Sequence, residues 1–469
     1  MKPIIFSGPA PAMSWLACAI VLIAGDFSAA AEVAPPAPAL TLQEFCRKVL
    51  AYYPRLKEQA ATVELAVANK LQAQAGYLPR LQAQAGATYG DDPVYVFGSR
   101  LRQRAFTQED FDLDRLNRPN ALMNFDVGLR GEVPLFNAFQ TISRVRQARH
   151  MVEAAKHDEE FMRMEAVLLA SDSYLHALAV EMILDKAEAT CRLAEIDIKQ
   201  AESLKEKGVV LGADYYSARV MCGGLRNSRN NFAAQRQSMH ALLNILMGED
   251  PFKPLRLAGA LGKEPVPEPG LQEWLSRAGR MRPDLKAIDQ ALRASEENLS
   301  GARSSAWPVI SAFGDVSADA RDFQTGGGNF TVGLRASVDI FDPGYSSRVS
   351  QAQLALKKMK LARCTVADSI ARDITSEHAR LESLSSNVPV LREMSADSDR
   401  AVEMALPLYR EGRKSIADLI EMRQGNVMTY QGYYSALAGL KNASVRLMFL
   451  SGQLDEAQAA SALGEGQSP

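Results

Sequence analysis

The chain has 469 residues, and its 53 basic and 55 acidic side chains leave a formal net charge of −2 at pH 7. That balance excludes the basic footprint of a nucleic-acid binder and the charged run of an interaction tail. Its five cysteines show no CxxC spacing and its five histidines form no ligand set, so neither metal nor cofactor is expected.

Residues 1–31 read as a secretory signal peptide. Lys2 leads, an apolar run extends from Trp15 to Ala24, and Ala29-Ala30-Ala31 supplies small residues for cleavage. Cys18 does not suit lipid attachment, because most of the apolar run lies after it, whereas a lipid-modified cysteine comes at the end of such a run. Pro35, Pro36 and Pro38 make residues 32–40 an extended linker. No later segment has the ~18 continuous apolar residues of a membrane helix. An exported chain of this kind is periplasmic, secreted or an outer-membrane β-barrel.

From Thr41 onward the chain is written twice. Leu42-Gln43-Glu44-Phe45 returns as Leu271-Gln272-Glu273-Trp274, Pro54-Arg55-Leu56-Lys57 as Pro283-Asp284-Leu285-Lys286, and Pro79 as Pro308, all at one offset. Phe125 to Arg130 returns at a shorter offset as Phe330 to Arg335, and Gly208-x5-Asp214-x4-Arg219 as Gly412-x5-Asp418-x4-Arg423. Landmarks kept in order mark structural repeats: residues 41–250 and 271–454, joined by a linker over 251–270 and followed by a flexible tail over 455–469. The change of offset places a connection about two dozen residues longer between Pro79 and Phe125 in the first copy.

Each copy holds a long helix and a return helix. Ser143 to Lys207 lacks proline, and Phe161, Met164, Leu168, Ser171, Leu175, Leu178 and Met182 alternate spacings of three and four, a heptad seam. About 65 residues at ~1.5 Å each span roughly 100 Å. The second copy runs from Ser346 to Glu411, and Pro389 predicts a kink or local unwinding within it. Return helices follow over Asp214–Met247 and Ala417–Leu450. Cys191 and Cys222 flank the first turn at unequal distances, which favours free thiols. His150 and His157 share a helix face without further ligands.

Just before the long helices the period changes to two. Phe125, Val127, Leu129, Val133 and Leu135 alternate with Asp126, Gly128, Arg130 and Glu132. In the second copy Phe330, Val332, Leu334, Ala336, Val338 and Ile340 alternate with Thr331, Gly333, Arg335, Ser337 and Asp339. Leu81–Tyr89 and Val309–Ala318 are the partner strands. Nine to thirteen alternating residues suit a transmembrane β-strand. Four strands cannot close a barrel, and open edges are not tolerated in lipid. Several chains must share one barrel, with the segment from Gly90 to Asn124 (Arg100, Arg102, Arg104 and the Asp110/Asp112/Asp114 run) as an external loop. The fold class is an α+β membrane protein built from a duplicated helix-strand-strand-helix repeat.

The duplication, Pro134-Leu135-Phe136-Asn137 and Asp339-Ile340-Phe341-Asp342 before the long helices, and the paired Gly-x5-Asp turns resemble the TolC-type outer-membrane efflux channels over Thr41 to Leu454. The resemblance implies a homotrimer, with a twelve-stranded transmembrane β-barrel in outer-membrane lipid continued by a periplasmic α-helical barrel. It implies no enzymatic activity. Its partners would be a periplasmic adaptor protein and an inner-membrane pump of RND, ABC or MFS type.

It also implies roles at the turns. Tyr409, Lys414 and Asp214 match residues that tie the periplasmic tips shut, and Asp418 and Glu421 match two acids facing the bore. Lys414 stands where the family has arginine, Ala213 where it has a hydroxyl, and Glu421 where it has aspartate. Lys207-Gly208-Val209 and Glu411-Gly412-Arg413 occupy the adaptor-contact positions, with only the glycines retained. For Asp214 and Asp418, helix N-capping is the alternative role. The other functional readings are a periplasmic adaptor with one long helical hairpin, and a secreted hydrolase or structural coiled coil. The sequence offers no catalytic constellation for a hydrolase.

Overall fold

The computed structural model describes residues 39–259, 261, 269–322 and 326–463. The expected signal peptide, most of the expected proline-rich linker and part of the expected inter-repeat linker lie outside them. The first repeat comprises α1 (Leu42–Tyr52), α2 (Pro54–Gln74), β1 (Arg80–Gly90), α3 (Pro93–Arg102), α4 (Leu113–Asn117), β2 (Leu122–Asn137), α5 (Gln140–Glu206) and α6 (Gly212–Met247). The second comprises α7 (Leu271–Met281), α8 (Pro283–Ser304), β3 (Val309–Ala320), β4 (Gly326–Ser337), α9 (Tyr345–Arg410) and α10 (Ile416–Leu450), followed by α11 (Glu456–Leu463).

Local chemistry sets the helix starts. Thr41 and Glu44 form a capping box on α1, and Pro54 and Pro283 occupy first-turn positions where no N–H is needed. α1 and α7 bury Phe45 and Trp274 against the long helices. The Tyr174 hydroxyl on α5 lies 2.8 Å from the Leu40 carbonyl and 2.6 Å from that of Ala258, tying down the segments that lead into and out of the first repeat.

The long helices have the expected length, 67 and 66 residues. α9 runs unbroken through Pro389 and through Pro407, so the local unwinding expected at Pro389 does not occur. Both prolines are exposed, as are Ser385 and Glu403, whose carbonyls lose their helical partner and can turn to water.

The predicted seam from Phe161 to Met182 is borne out along its whole length. Met164, Ser171, Leu175 and Leu178 are buried, with Phe161, Leu168 and Met182 partly so. Further along, the buried line moves to Ile183, Ala187, Thr190, Ala194, Asp197 and Ala201. The reason is a change of neighbours. Met164 to Ala179 share a core with residues of α1, α6 and α10, whereas Ala187, Ala194 and Ala201 share one with α6, α9 and α10 that includes nothing from α1. One 18-residue window of α5 is apolar enough by composition to cross a bilayer (mean hydropathy 1.4), and 67% of it is buried against the protein itself.

The expected flexible tail also differs, since α11 packs Ala459 into the core beside Leu454, with Asp455 capping its start. The expected external loop holds α3, α4 and a 3-10 turn. Its acidic run is engaged: Asp110 pairs with Arg100 and accepts from Thr107, and Asp112 caps α4.

The four strands form one antiparallel sheet in the order β1-β2-β3-β4, so the two repeats join at β2–β3. Cross-strand partners share a face, which makes the register decisive. Ala83, Leu129, Val316 and Phe330 lie side by side, as do Leu81, Gly131, Gly314 and Val332. Tyr89, Val127 and Leu334 belong to the same face, and Leu81, Tyr89, Val127, Leu129, Val316, Phe330, Val332 and Leu334 are all at least half exposed. The other face carries Gln82, Gln84, Asp126, Arg130, Asp315, Ser317, Thr331 and Arg335, with Arg130 3.8 Å from Asp315. A bulge between Pro134 and Phe136 corrects one assignment: Phe136, opposite Ile310, takes the apolar position expected for Leu135. β4 ends at Ser337, so Val338 and Ile340 fall beyond it.

One buried ion pair joins the two repeats near the far end of the helices. Arg423 of α10 places Nε and Nη2 each 2.7 Å from Asp197 Oδ2 on α5, with both side chains under a tenth exposed. Removing one member of such a pair costs about 3–5 kcal/mol, against about 0–1 kcal/mol for an exposed pair. Asp197→Ala is therefore expected to lower the melting temperature far more than Glu195→Ala, which breaks the exposed contact to Arg226. Leu175→Asp, at a fully buried position, is expected to prevent recovery of folded protein. Thermal scans by circular dichroism in detergent check the first pair, and equal losses at the two sites would contradict this assignment.

Candidate functional site

The two helical turns are built alike. α5 and α9 each end with a glycine in the left-handed region, Gly208 at φ +75° and Gly412 at φ +70°. Val209 N–H donates to the Leu204 carbonyl at 2.9 Å and Arg413 N–H to that of Leu408 at 2.8 Å. Gly208 and Gly412 donate to Lys205 and Tyr409 in the same way, which completes a Schellman closure in both copies. These glycines thus have a conformational role whatever docks on them. The neighbouring Lys207, Val209, Glu411 and Arg413 are exposed, Val209 to 70%, and Glu411 pairs with Arg413 at 3.6 Å.

Entry into the return helices distinguishes the copies. Ser415 caps α10: its hydroxyl accepts from Asp418 N–H at 3.0 Å, and the Asp418 carboxylate accepts from Ser415 N–H at 3.3 Å. Asp418 is thus the third-residue partner of a capping box rather than the N-cap itself, and its side chain stays exposed. Ser415 was legible in the sequence as the start of Ser-x-x-Asp. The first copy has Leu211 at that place, so Asp214 forms no cap bond. It is half-buried, and its carboxylate has no hydrogen-bond partner among the described residues.

The expected tie among Tyr409, Lys414 and Asp214 does not form within one chain. Lys414 Nζ lies 3.2 Å from the Met422 sulfur, a weak acceptor. Tyr409 is 7% exposed and its hydroxyl has no partner among the described residues. Burial, reinforced by the Asp197 carboxylate, holds its phenol above the ordinary range, so it remains a proton donor. Glu421 lies one helical turn beyond Asp418 and is exposed with it.

Sequence reasoning missed the buried layer beneath the tip. Asp197 has no local signal except a charge on a helix already rich in charges, and its partner Arg423 lies 226 residues away. Higher up, Asp399 of α9 accepts from Lys186 of α5 at 2.8 Å and from Tyr430 of α10 at 2.5 Å. Burial raises the Asp399 carboxyl, but these bonds and one from Asn426 outweigh it and hold the group below its usual range. No disulfide forms among the described cysteines: Cys46, Cys191 and Cys222 are buried, and Cys364 is exposed. Among the described residues no cluster of three or more acidic, histidine or cysteine side chains could hold a metal ion.

The comparisons agree with this architecture. The profile of the family described as "Outer membrane efflux protein" matches residues 46–249 and 274–453, one segment within each copy. Outer membrane protein OprJ of Pseudomonas aeruginosa is 24% identical over 328 residues, 67% of this chain and 66% of that protein. Outer membrane efflux protein BepC of Brucella suis is 20% identical over 407 residues, 85% of this chain and 88% of that protein. A crystal structure of the CusC channel superposes with a TM-score of 0.73 at 16% identity, covering 88% of this chain and 92% of that one. That family is one of channels rather than enzymes. The chain belongs to the outer membrane efflux protein family.

Proposed function

We propose that three copies of this chain close a twelve-stranded barrel and form a passive exit duct, opened at its periplasmic tip by an adaptor that connects it to an inner-membrane pump. The observation that carries this reading is the sheet. Four strands of membrane length turn a wholly apolar face outward, and β1 and β4 each leave an edge unpaired within the chain. In lipid those edges need partners, and neighbouring protomers are the partners that also place polar side chains around a bore. An adaptor would carry one hairpin and soluble β-domains. Here there are two hairpins, each with its own pair of strands.

The tip is the gate of this duct. Asp214 offers an uncapped carboxylate, Tyr409 a buried hydroxyl without a partner, and Lys414 an ammonium held only by a thioether. Contacts between neighbouring hairpins would satisfy all three, at about 1.5–3 kcal/mol for each charge-assisted hydrogen bond. Three such links can hold a narrow aperture yet yield to a docking protein. Lysine cannot make the planar two-point contact of arginine, so this latch is weaker than its family counterpart. Asp418 and Glu421 place two rings of carboxylates around the constriction and favour cations. The adaptor meets the exposed turns around Lys207, Gly208, Val209, Glu411, Gly412 and Arg413.

Single-channel recording in planar bilayers tests the gate. Tyr409→Phe removes a hydroxyl that does no work inside the chain, so it leaves the fold intact. Combined with Lys414→Ser it is expected to raise conductance several-fold. Asp418→Ala with Glu421→Ala is expected to reduce cation selectivity. Parental behaviour from both double variants would assign these residues to capping and solvated surface, and place the gate elsewhere.

A further inference from the structure

The long connection of the first repeat, residues 93–121, has no equivalent in the second, where five residues join β3 to β4. Its position is fixed by the parity of the sheet. Asn124, Asp319 and Asn329 all belong to the polar face, the face shared by Arg130, Asp315 and Thr331. Gln103, just past the end of α3, donates to Asn124 Oδ1 at 2.7 Å, and Asn124 donates in turn to Asp319 Oδ1 at 3.0 Å. Gln103, Asn124 and Asp319 are each less than a tenth exposed. Tyr95 donates to the Thr88 carbonyl at 2.6 Å, and Arg104 reaches the Gly328 carbonyl at 2.7 Å, across the width of the sheet from β1. The chain passes so close to β4 that a Cβ on Gly327 would collide with the Arg102 carbonyl oxygen. The segment therefore lies folded onto the polar side of the sheet, at the end opposite the helices.

We propose that this segment is a lid over the external mouth of the pore, and that three copies form a second constriction, in series with the periplasmic tip. The proposal rests on the barrel reading, in which the polar face lines the bore. The lid is anchored by a short polar chain and by one close backbone approach, rather than by a continuous apolar core. Its base stays tethered where Gly90 pairs with Leu122. Such a device admits outward traffic that pushes it aside and slows the entry of bulky solutes from outside.

Thiol labelling in intact cells with a large, membrane-impermeant maleimide tests it. The exposed native thiol, Cys364, is first replaced by serine. Thr331→Cys then places a thiol on the polar face four residues, or about 13 Å, below Gly327. Phe111→Cys, 66% exposed on the segment itself, reports whether that end of the barrel faces the outside. Phe111→Cys should label rapidly and Thr331→Cys slowly. Gly327→Val, which forces the lid off β4 while leaving the extended backbone undisturbed, should speed Thr331→Cys labelling about tenfold or more. Gln103→Ala with Asn124→Ala should do the same, and supplies the readout if Gly327→Val folds poorly. If Phe111→Cys fails to label, the barrel reading fails. If it labels, and Thr331→Cys reacts equally fast with and without the lid variants, the lid is overturned while the duct stands.

Discussion

A bilayer offers no hydrogen bonds to an unpaired peptide group, and that constraint governs this molecule. The sheet has two bare edges and one apolar face, so the protomer is incomplete by itself in lipid. The polar face is set by the same register: Arg130 and Asp315 can be opposite one another only because the apolar residues have already taken the other side. The helices inherit the arrangement. β2 and β4 lead into α5 and α9, so the position of each strand in the sheet also positions a helix about 100 Å long.

Duplication supplies the frame, and the two copies depart from one another at a few places. The Gly208 and Gly412 closures are alike to the level of individual hydrogen bonds. The starts of the two return helices differ. Ser415 holds Asp418 in a capping box, while Leu211 leaves Asp214 uncommitted, so only one of the two duplicated carboxylates is free to bond another hairpin. Asp197 meets Arg423, whereas the corresponding Arg219 lies 5.7 Å over the Tyr215 ring. The lid segment is the largest asymmetry, being present in the first copy alone.

Much of this was legible in the sequence because it is periodic. The repeats, the long helices and return helices to within a few residues, and the facing of the strands can all be read from spacing. The misses share a cause, since they depend on neighbours that no local pattern names. Beyond Met182, where no seam was expected, the buried line of α5 moves because its packing partners change. Pro389 leaves α9 intact because its side of the helix faces water. A bulge gives Phe136 the apolar pairing that alternation alone assigns to Leu135, and residues 456–463 form α11 in a stretch that composition alone marks as loose. At the tip, Ser415 was readable as a motif, but Asp197 was not, because its partner is separated from it by most of a repeat.

The central claim is that one barrel requires three chains. The most direct measurement is the mass of the detergent-extracted protein by native mass spectrometry, with oxidative cross-linking of cysteines placed along the outer edges of β1 and β4. A mass of three chains, together with covalent dimers and trimers formed through the β1–β4 pairing, is the expected result. A folded, membrane-inserted monomer, or a trimer whose β1 and β4 edges never cross-link, would contradict it.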